Sequence, residues 1–271
     1  MYQSIGFIGT GNMGSALALA ADKGAAEGAV LYLANRTPAK AEALCARLSR
    51  GRVATNEEIA RTCDLIFLGG KPQMMPGVLA ELNPILAGRT DRFVVCSRAA
   101  GLTFEALTAL MGKAYPLIRI LPNTPAVIGQ GVAQFCVNGA VTAQEKAAFL
   151  DLMAPSGLLD EMAEPMMAVA NCVSGCGIAF AAMFMEGLAD GGVACGMPRD
   201  MAYACAAQTM VGTGALYLAE RKHPGSMKDA VCSPGGVTIQ GVRTLEERGF
   251  RAACMDAVIS AYDKVKSMEK K

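Results

Sequence analysis

The feature that most constrains the fold of this chain is a glycine-rich turn close to its first residue. The stretch GFIGTGNMGSA places Gly9, Gly11 and Gly14 after a strand-like apolar run and before an apolar repeat with helical spacing. In such a unit the first glycine permits a tight turn, the second lets a pyrophosphate approach the backbone, and the third lets helix and strand pack closely. We expect this turn, with Asn12 and Met13, to bind a dinucleotide at the helix N-terminus.

Strand-like and helix-like segments alternate over the first part of the sequence. The apolar runs AVLYLAN, CDLIFLGG and FVVCSRAAG are separated by helical patterns, which predicts an α/β fold with a Rossmann-like, doubly wound parallel sheet. After LIRILPNTPAVIGQG and a predicted helix around Ala143 to Met153 the strand signals largely stop, and from about Glu164 onward helical patterns rich in Ala, Met and Cys dominate. We therefore expect an NADP(H)-binding domain over residues 1–162 and an all-α domain for dimerisation and substrate binding over residues 163–271.

Composition and net charge indicate which kinds of binding partner to expect. The chain is 52% hydrophobic with a formal net charge of only +1, which gives no electrostatic reason to expect nucleic acid or an anionic membrane. Its ten cysteines contain no Cys-x-x-Cys pair, and no signal-peptide pattern precedes them, so we expect reduced thiols in the cytoplasm. His223 is the only histidine, and we expect no metal site.

One apolar stretch, PMMAVANCVSGCGIAFAAMFM, is free of charge and long enough to cross a bilayer. Asn171 and Ser174 interrupt it, Glu164 and Glu186 bound it, and no flank rich in Lys or Arg orients it. We therefore expect a buried helix preceded by a turn. The helical patterns around it carry more apolar surface than a small bundle hides, which predicts a homo-oligomer interface.

The end of the second predicted strand indicates which dinucleotide is bound. An acidic side chain at this point bonds the ribose 2′-hydroxyl, whereas an arginine accommodates a 2′-phosphate. The chain has Asn35, Arg36 and Thr37 there and no carboxylate, which favours NADP(H) over NAD(H) because a guanidinium pairs with phosphate. The alternative is that Arg36 is an ordinary solvated arginine.

Several motifs together resemble the Δ1-pyrroline-5-carboxylate reductase family, the last enzyme of proline biosynthesis. They are GFIGTGNMG, GGKP, SRAAG, LPNTP, ADGGVACGMPR and, most specifically, HPGSMKDAVCSPGGVTIQGVRTLEERGFRAA. The resemblance implies reduction of a cyclic imine to L-proline by hydride from a nicotinamide cofactor. It also implies a homodimer with intertwined helical domains, often assembled further into a ring of dimers.

The resemblance places the substrate at the CSPGGVT segment. Two hydroxyls and the backbone N–H groups of Gly235, Gly236 and Val237, in a turn leading into a helix, suit a carboxylate. A Pro-Gly-Gly turn that only starts a helix is the alternative interpretation. The substrate residues implied by the family are Val231, Ser233, Gly236, Val237 and Thr238.

The resemblance also assigns small and polar residues to the cofactor. Catalysis is expected to rest on positioning and electrostatics, with no general base. His223 is expected to be a turn residue and Cys232 a packed thiol. The further cofactor residues implied are Asn56, Lys71, Pro72, Ala99, Ala100 and Asn123.

Two other functions share part of this pattern. A β-hydroxyacid dehydrogenase has a similar fingerprint but needs a catalytic lysine on the first helix of the second domain, and between Asn171 and Met227 the chain has only Lys222. A non-catalytic NADP(H)-binding regulator would have no need of the intact SPGGVT loop. An assay with pyrroline-5-carboxylate and NADPH separates all three.

The chain departs from the family at one predicted helix start. The family reads Ser-Gly-Ser-(Gly or Ser)-Pro-Ala-Tyr where this chain has Ser-Gly-Cys-Gly-Ile-Ala-Phe from Ser174 onward. A serine caps a helix and a proline pre-sets its first turn, whereas Cys176 and Ile178 do neither. We expect a looser helix end and altered imine binding, with Phe180 contributing.

Overall fold

The computed structural model describes residues 1–70 and 72–269 of the chain. Within them the strands are β1 (Ser4–Ile8), β2 (Val30–Ala34), β3 (Gly51–Val53), β4 (Leu65–Leu68), β5 (Val94–Ser97), β6 (Leu117–Pro122), β7 (Gly131–Val137) and β8 (Gly157–Glu161). The first six helices are α1 (Asn12–Gly24), α2 (Pro38–Cys45), α3 (Asn56–Thr62), α4 (Met75–Ala87), α5 (Phe104–Met111) and α6 (Ala143–Met153). The others are α7 (Met167–Ser174), α8 (Gly177–Ala194), α9 (Arg199–Glu220), α10 (Pro224–Ala230), α11 (Val237–Glu247) and α12 (Phe250–Glu269).

The strands form one sheet in the order β3-β2-β1-β4-β5-β6-β7-β8. The first six positions are all parallel, which is the strand order of a dinucleotide-binding Rossmann sheet and confirms the predicted fold class. The chain order reverses between β1 and β4, so that the carboxyl ends of these strands border the crevice in which such sheets bind ligands.

Strands β7 and β8 depart from the predicted parallel arrangement. β7 pairs antiparallel with β6, and β8 is parallel to β7. The segment between Pro122 and Gly131 is a short turn containing a 3-10 helix, and a connection of this length joins antiparallel neighbours, since a parallel pair needs a crossover of about a dozen residues. The longer connection from β7 to β8 contains α6 and returns the chain in parallel.

Both faces of the parallel sheet are covered, which explains why its strands read as unbroken apolar runs. On one face Phe7 stacks on Phe67 with ring centroids 4.5 Å apart, and Phe149 of α6 lies 6.4 Å from Phe67. On the other face the buried side chains of Ile66 and Leu79 belong to a second apolar cluster. The sheet is therefore the core of this part of the molecule.

The contacts divide the chain into two compact units. We call Met1–Gly175 together with Lys264–Lys271 the sheet unit, and Cys176–Asp263 the helical unit. Residue 162, where we placed the domain boundary, lies in the sheet unit, and that boundary stays a prediction. The expected change from strands to helices along the chain is present.

The helical unit buries little apolar surface within the single chain. Its α8 and α9 pack through a small cluster centred on Ala189, Ala202 and Ala206, whereas Met183 is 71% exposed and Val211 64% exposed. The packed residues are small, so the helices approach closely without enclosing large side chains.

One stretch of the described residues, Glu164–Ala194, is apolar and long enough to cross a membrane by length and composition, with a mean hydropathy of 1.7. The structure divides it into a 3-10 turn, α7 and α8. Only 11% of its most apolar window is buried, so the buried helix that we expected is an exposed one in the single chain.

Candidate functional site

A cleft of about 1080 Å³ opens at the carboxyl ends of β1, β2, β4 and β5. It lies where the strand order reverses, as expected for the ligand crevice of this fold. The lining includes residues of the glycine turn, of the end of β2, of the β4–α4 connection and of α7. Predicted cofactor residues in this lining are Gly9, Gly11, Asn12, Met13, Gly14, Asn35, Arg36, Asn56 and Ala100.

The glycine turn has the geometry that a bound diphosphate requires. Gly9 has a φ of +89°, which is costly for any residue with a side chain. A Cβ atom on Gly14 would lie 2.2 Å from the Gly9 carbonyl oxygen, so the helix packs against the turn only because Gly14 has none. α1 begins at Asn12 without a side-chain cap and without an acidic residue in its first turn. Its N-terminal N–H groups are therefore suited to an anion.

Asn35 joins the end of β2 to the glycine turn. Its Oδ1 accepts a hydrogen bond from the Thr10 backbone N–H at 3.2 Å, and its Nδ2 donates to the Thr37 carbonyl at 3.0 Å. This positions the next residue, Arg36, on the cleft, where Lys40 from α2 is a second cation. Lys40 was not predicted as a cleft residue, although the sequence shows it in the first turn of the helix that follows Arg36.

A smaller cavity of about 540 Å³ adjoins the cleft, because both are lined by Asn35, Arg36 and Asn56. Its carboxylates have partners of their own. Glu57 lies 2.7 Å from Arg61, and Glu58 lies 2.9 Å from Arg52. Arg36 therefore lies between two cavities, and the acidic groups nearby are already paired with other arginines.

Arg98, in the segment after β5, is a partly buried cation that lines the cleft. Its Nη2 donates to the Gly9 carbonyl oxygen at 2.7 Å, while its Nε is buried with no hydrogen-bond partner among the described residues. Burial lowers the pKa of Arg98 to about 10, because removal from water disfavours the charged form. Arg98 belongs to the SRAAG motif, and the sequence pattern predicted no role for it.

The remaining predicted cofactor residues are placed differently. Ala99 is buried, and Asn123 is buried with its Oδ1 accepting from the Val132 N–H and its Nδ2 donating to the Ser174 carbonyl. Pro72 begins a short 3-10 helix. None of these three is among the lining residues of the cleft, and Lys71 lies outside the described residues. The other lining residues, which were not among the predicted cofactor contacts, are Ile8, Thr37, Lys40, Gly69, Gly70, Gln73, Met74, Gly77, Val78, Glu81, Arg98, Leu121, Pro122 and Asn171.

The loop predicted to bind substrate lies in the helical unit, between α10 and α11. His223 caps α10, since its Nδ1 accepts a hydrogen bond from the Gly225 N–H at 3.0 Å. Val231 and Val237 are strongly exposed. α11 begins after Gly236 with no side-chain cap and no acidic residue in its first turn, so this helix presents a second N-terminus suited to an anion.

The backbone N–H of Gly236, which we expected to bind the substrate carboxylate, already has a hydrogen-bond partner. Its N–H donates to the Ser233 carbonyl at 3.0 Å and is not free for a ligand, because the loop closes on itself as a tight turn. A Cβ atom on Gly236 would lie 2.4 Å from the Ser233 Oγ. The glycine thus makes room for the serine hydroxyl beside the start of α11, where Thr238 is the second helical residue.

The predicted weak helix start is present at α8. Its N-cap residue is Cys176, in αR conformation and without a side-chain hydrogen bond to the helix. Ser174 ends α7, and its Oγ donates to the Gln134 Oε1 at 2.9 Å. The serine that precedes this junction is therefore bonded to the sheet and does not cap α8.

These features define a class before they define a family. A Rossmann sheet with a glycine turn and a basic β2 end, followed by a helical domain, is the architecture of nicotinamide-dependent oxidoreductases. Residues 4–99 match the family model described as NADP oxidoreductase coenzyme F420-dependent, and residues 164–268 match the one described as pyrroline-5-carboxylate reductase dimerisation.

Comparison with individual proteins shows the family. The chain is 39% identical over 272 residues to pyrroline-5-carboxylate reductase of Escherichia coli K12, covering 100% of both chains. It is 34% identical to pyrroline-5-carboxylate reductase 3 of Rattus norvegicus, covering 98% of this chain and 96% of the relative. The chain belongs to the pyrroline-5-carboxylate reductase family.

Solved structures agree over almost the whole length. The Plasmodium falciparum pyrroline carboxylate reductase, determined with NADP bound, superimposes with a TM-score of 0.85 at 30% identity and covers 98% of this chain and 99% of its own. The Streptococcus pyogenes enzyme gives 0.84 at 28% identity, covering 97% and 98%. The fold predicted from sequence is thus the fold of this family.

Proposed function

We propose that this protein reduces Δ1-pyrroline-5-carboxylate to L-proline with hydride from NADPH. The observation that carries the proposal is identity of 39% to the Escherichia coli pyrroline-5-carboxylate reductase over the complete length of both chains. Full coverage matters because it includes the loop before α11, which a relation through the Rossmann sheet alone would leave out.

The sheet unit suits the cofactor. The uncapped start of α1 receives the diphosphate, and Arg36 and Lys40 supply positive charge for a 2′-phosphate at the end of β2, where a carboxylate would be needed to hold the unphosphorylated ribose. NADP(H), when bound, supplies a hydride that adds to the imine carbon. Ala100 contributes no bulk to the cleft, which allows a flat ring to lie close to the backbone.

The helical unit suits the carboxylate of the substrate. The start of α11 offers unpaired N–H groups, and the hydroxyls of Ser233 and Thr238 are exposed beside it and can donate further hydrogen bonds. Val231 and Val237 would contact the apolar ring. We assign the substrate to this loop, with Gly236 keeping the serine hydroxyl in place.

The reaction needs no general base from the chain. A ring nitrogen that is already protonated accepts the π electron pair of the C=N bond when hydride adds to carbon, so the hydride becomes the new C–H hydrogen and the nitrogen keeps its proton. The chain's contribution is to hold the two reactants in register and to surround their negative groups with N–H donors and cations.

We propose that the active protein is a homodimer in the cytoplasm and that dimers assemble further into a ring. The match of residues 164–268 to the dimerisation model supports the dimer, as does the exposure of large apolar side chains on α8 and α9. The relatives over which the chain aligns completely are enzymes of the same size class.

The test is an assay of the purified protein with Δ1-pyrroline-5-carboxylate and NADPH, read as loss of NADPH absorbance and formation of proline. The Thr238→Ala variant should raise the KM for the imine by about tenfold to a hundredfold and leave the NADPH dissociation constant unchanged. Thr213→Ala, in the middle of α9, is the matched control.

Absence of proline formation by the wild-type protein would refute the proposal. Equal damage to imine and NADPH binding in Thr238→Ala would show that the loop is only structural. Running the assay with the six-membered ring imine and with NADH defines the range of substrate and cofactor.

A further inference from the structure

The segment after β5 holds an arginine whose charge nothing in the described chain neutralises. Arg98 lines the cleft beside the glycine turn. Its guanidinium donates to the Gly9 carbonyl oxygen and forms no ion pair with a carboxylate among the described residues, and its Nε has no hydrogen-bond partner among them. A partly buried cation without an anion has lost hydration that nothing in the chain replaces, and a ligand of opposite charge compensates that loss.

The backbone around Arg98 is shaped to hold its guanidinium against the glycine turn. The Arg98 N–H donates to the Leu68 carbonyl at 3.0 Å, and the Gly69 N–H donates to the Ile8 carbonyl at 2.7 Å. These bonds bring the ends of β1, β4 and β5 side by side. The arginine therefore projects from the strand next to the one that carries Gly69, beneath the turn.

The guanidinium of Arg98 occupies the space that a side chain at position 69 would fill, and Gly69 leaves that space open. A Cβ atom on Gly69 would lie 1.5 Å from the Arg98 Nη2 and 2.6 Å from its Cζ. The same Nη2 lies 3.0 Å from the position of a Cβ on Gly14 and donates to the Gly9 carbonyl at 2.7 Å. Arg98 is thus enclosed by three glycines, two of which belong to the turn itself.

We propose that Arg98 is a positioning residue for the diphosphate of the dinucleotide: it holds the Gly9 carbonyl, and with it the turn, while adding positive charge to the cleft. This inference rests on the proposed function, because it takes the cleft to be the cofactor site. Its role differs from that of Arg36, which lies at the end of β2 and serves the 2′-phosphate. Arg98 should serve every ligand that has a diphosphate.

This difference gives a direct test by calorimetric titration with NADPH, NADH and ADP-ribose. ADP-ribose has the diphosphate but neither nicotinamide nor 2′-phosphate. Arg98→Met, which keeps the length of the side chain and removes its charge and donors, should weaken all three ligands by about the same factor, tenfold to a hundredfold. Arg36→Met, the matched control, should weaken NADPH alone.

Two further variants keep the test informative if Arg98→Met folds poorly, which its thermal midpoint will show. Arg98→Lys retains the charge without the planar fork and should recover part of the lost affinity. Gly69→Ala displaces the guanidinium while leaving it charged, and should also weaken all three ligands. In the Arg98→Met background the added effect of Gly69→Ala should shrink to that of its contact with the Ile8 carbonyl, 2.9 Å away.

The salt dependence of ligand binding separates an electrostatic role of the Arg98 charge from a role of its side chain in shaping the glycine turn. The ADP-ribose dissociation constant of the wild-type protein should rise with sodium chloride more steeply than that of Arg98→Met, because one cation of the cleft is missing in the variant. Equal salt dependence would overturn the electrostatic part of the proposal.

The proposal fails if Arg98→Met binds all three ligands within twofold of the wild-type protein, or if it loses NADPH alone. It also fails if the losses from Arg98→Met and Gly69→Ala simply add. A wild-type protein that binds none of the three ligands would instead refute the cofactor site, and with it the proposed function.

Discussion

The sheet unit and the helical unit of this chain solve the problem of burying apolar surface in opposite ways. The sheet unit encloses large rings: Phe7, Phe67 and Phe149 are each fully buried. The helical unit encloses only alanines, Ala189, Ala202 and Ala206. A chain that hides large side chains in one half and presents them in the other is built to complete its second core with a second copy.

The two units also differ in how the structure holds the groups that would bind ligands. In the sheet unit Arg98, one of several charged side chains at the cleft, is held by backbone groups from neighbouring strands. The loop before α11 is instead an exposed turn closed by its own hydrogen bond. The proposed cofactor site therefore lies on the unit that buries large side chains within a single chain, and the proposed substrate loop lies on the unit that leaves such side chains exposed.

Removing a ring from the sheet core should cause the greatest loss. Phe67→Ala should reduce the free energy of unfolding by about 3–5 kcal/mol, because it deletes a fully buried ring stacked on Phe7 and leaves a cavity. Urea unfolding followed by far-ultraviolet circular dichroism measures it. Phe250→Ala is the control in the helical unit, where the ring is 36% exposed in the single chain. Equal losses in the two variants would contradict the comparison.

The assembly is tested by two residues of nearly equal exposure. Met183→Glu, on the 71% exposed side chain in α8, should weaken dimer formation by about a hundredfold. Ile128→Glu, on a 72% exposed side chain of the sheet unit, should leave it unchanged. Sedimentation velocity distinguishes the dimer from the 28.1 kDa chain. A wild-type protein that sediments as a stable monomer at micromolar concentration would exclude the dimer altogether.

Cofactor choice should depend on the sheet unit alone. Arg36→Asp should lower NADPH affinity by about 1.5–3 kcal/mol, roughly tenfold to a hundredfold, because it replaces a phosphate partner with a carboxylate. The ratio of NADPH to NADH dissociation constants, measured by fluorescence titration, should fall or reverse. An unchanged ratio would remove Arg36 from the cofactor site.

Acid should weaken the sheet unit through Glu145, which completes the capping box of α6 and accepts two hydrogen bonds from Arg92, at 2.7 and 2.9 Å. The bond from Arg92 is the main reason that the pKa of Glu145 is lowered. This contribution to stability is present above the unfolded-state pKa of about 4.3 and is lost as pH falls through the lower pKa of the folded state.

Glu145→Gln should therefore cost about 1–2 kcal/mol at pH 7 and almost nothing at the acid end of the titration. Urea midpoints measured across the acid range give the profile. Glu247→Gln, which breaks an exposed pair with Arg243 at 3.4 Å in the helical unit, should produce no measurable change at either pH. If the difference in urea midpoint between Glu145→Gln and the wild-type protein does not change with pH, the loss of stability does not come from the ionised carboxylate.

The junction of the two units should give the smallest change. Replacing Cys176 with Ser, Ile178 with Pro and Phe180 with Tyr should stabilise the start of α8 by about 0.5–2 kcal/mol, because it supplies the missing cap and a proline in the first turn. We expect a lower KM for pyrroline-5-carboxylate and an unchanged NADPH dissociation constant. No gain on that imine would favour a different natural substrate.

The sequence predicted the sheet because period and glycine spacing are local signals. Gly9, Gly11 and Gly14 marked the turn, and the parallel, doubly wound arrangement followed from the alternation of strands and helices. The reversal of β7 was not predicted, since it depends on how few residues join Pro122 to Gly131. The length of that connection is known only once the end of β6 and the start of β7 are fixed, and the sequence pattern did not mark the start of β7.

The site was predicted in part for the same reason. Arg36, which lines the cleft, was predicted because its place after a strand has a known meaning. Arg98 was not predicted, because its contacts depend on Gly69, which is nearly thirty residues away along the chain and adjacent in the sheet. The bond from the Asn123 amide to the Ser174 carbonyl also depends on a tertiary contact, since the two residues are far apart along the chain. Such pairings are set by packing and not by sequence period.

The distribution of thiols gives the molecule a built-in chemical label. The exposed cysteines, Cys195, Cys205 and Cys254, all lie in the helical unit. In the sheet unit, burial raises the pKa of Cys63 to about 12 and that of Cys136 to about 11, so these thiols stay protonated and unreactive near neutral pH. A reagent that consumes thiolates will therefore modify the helices first. The rate at which it does so records, without any engineered probe, how much of their surface a partner covers.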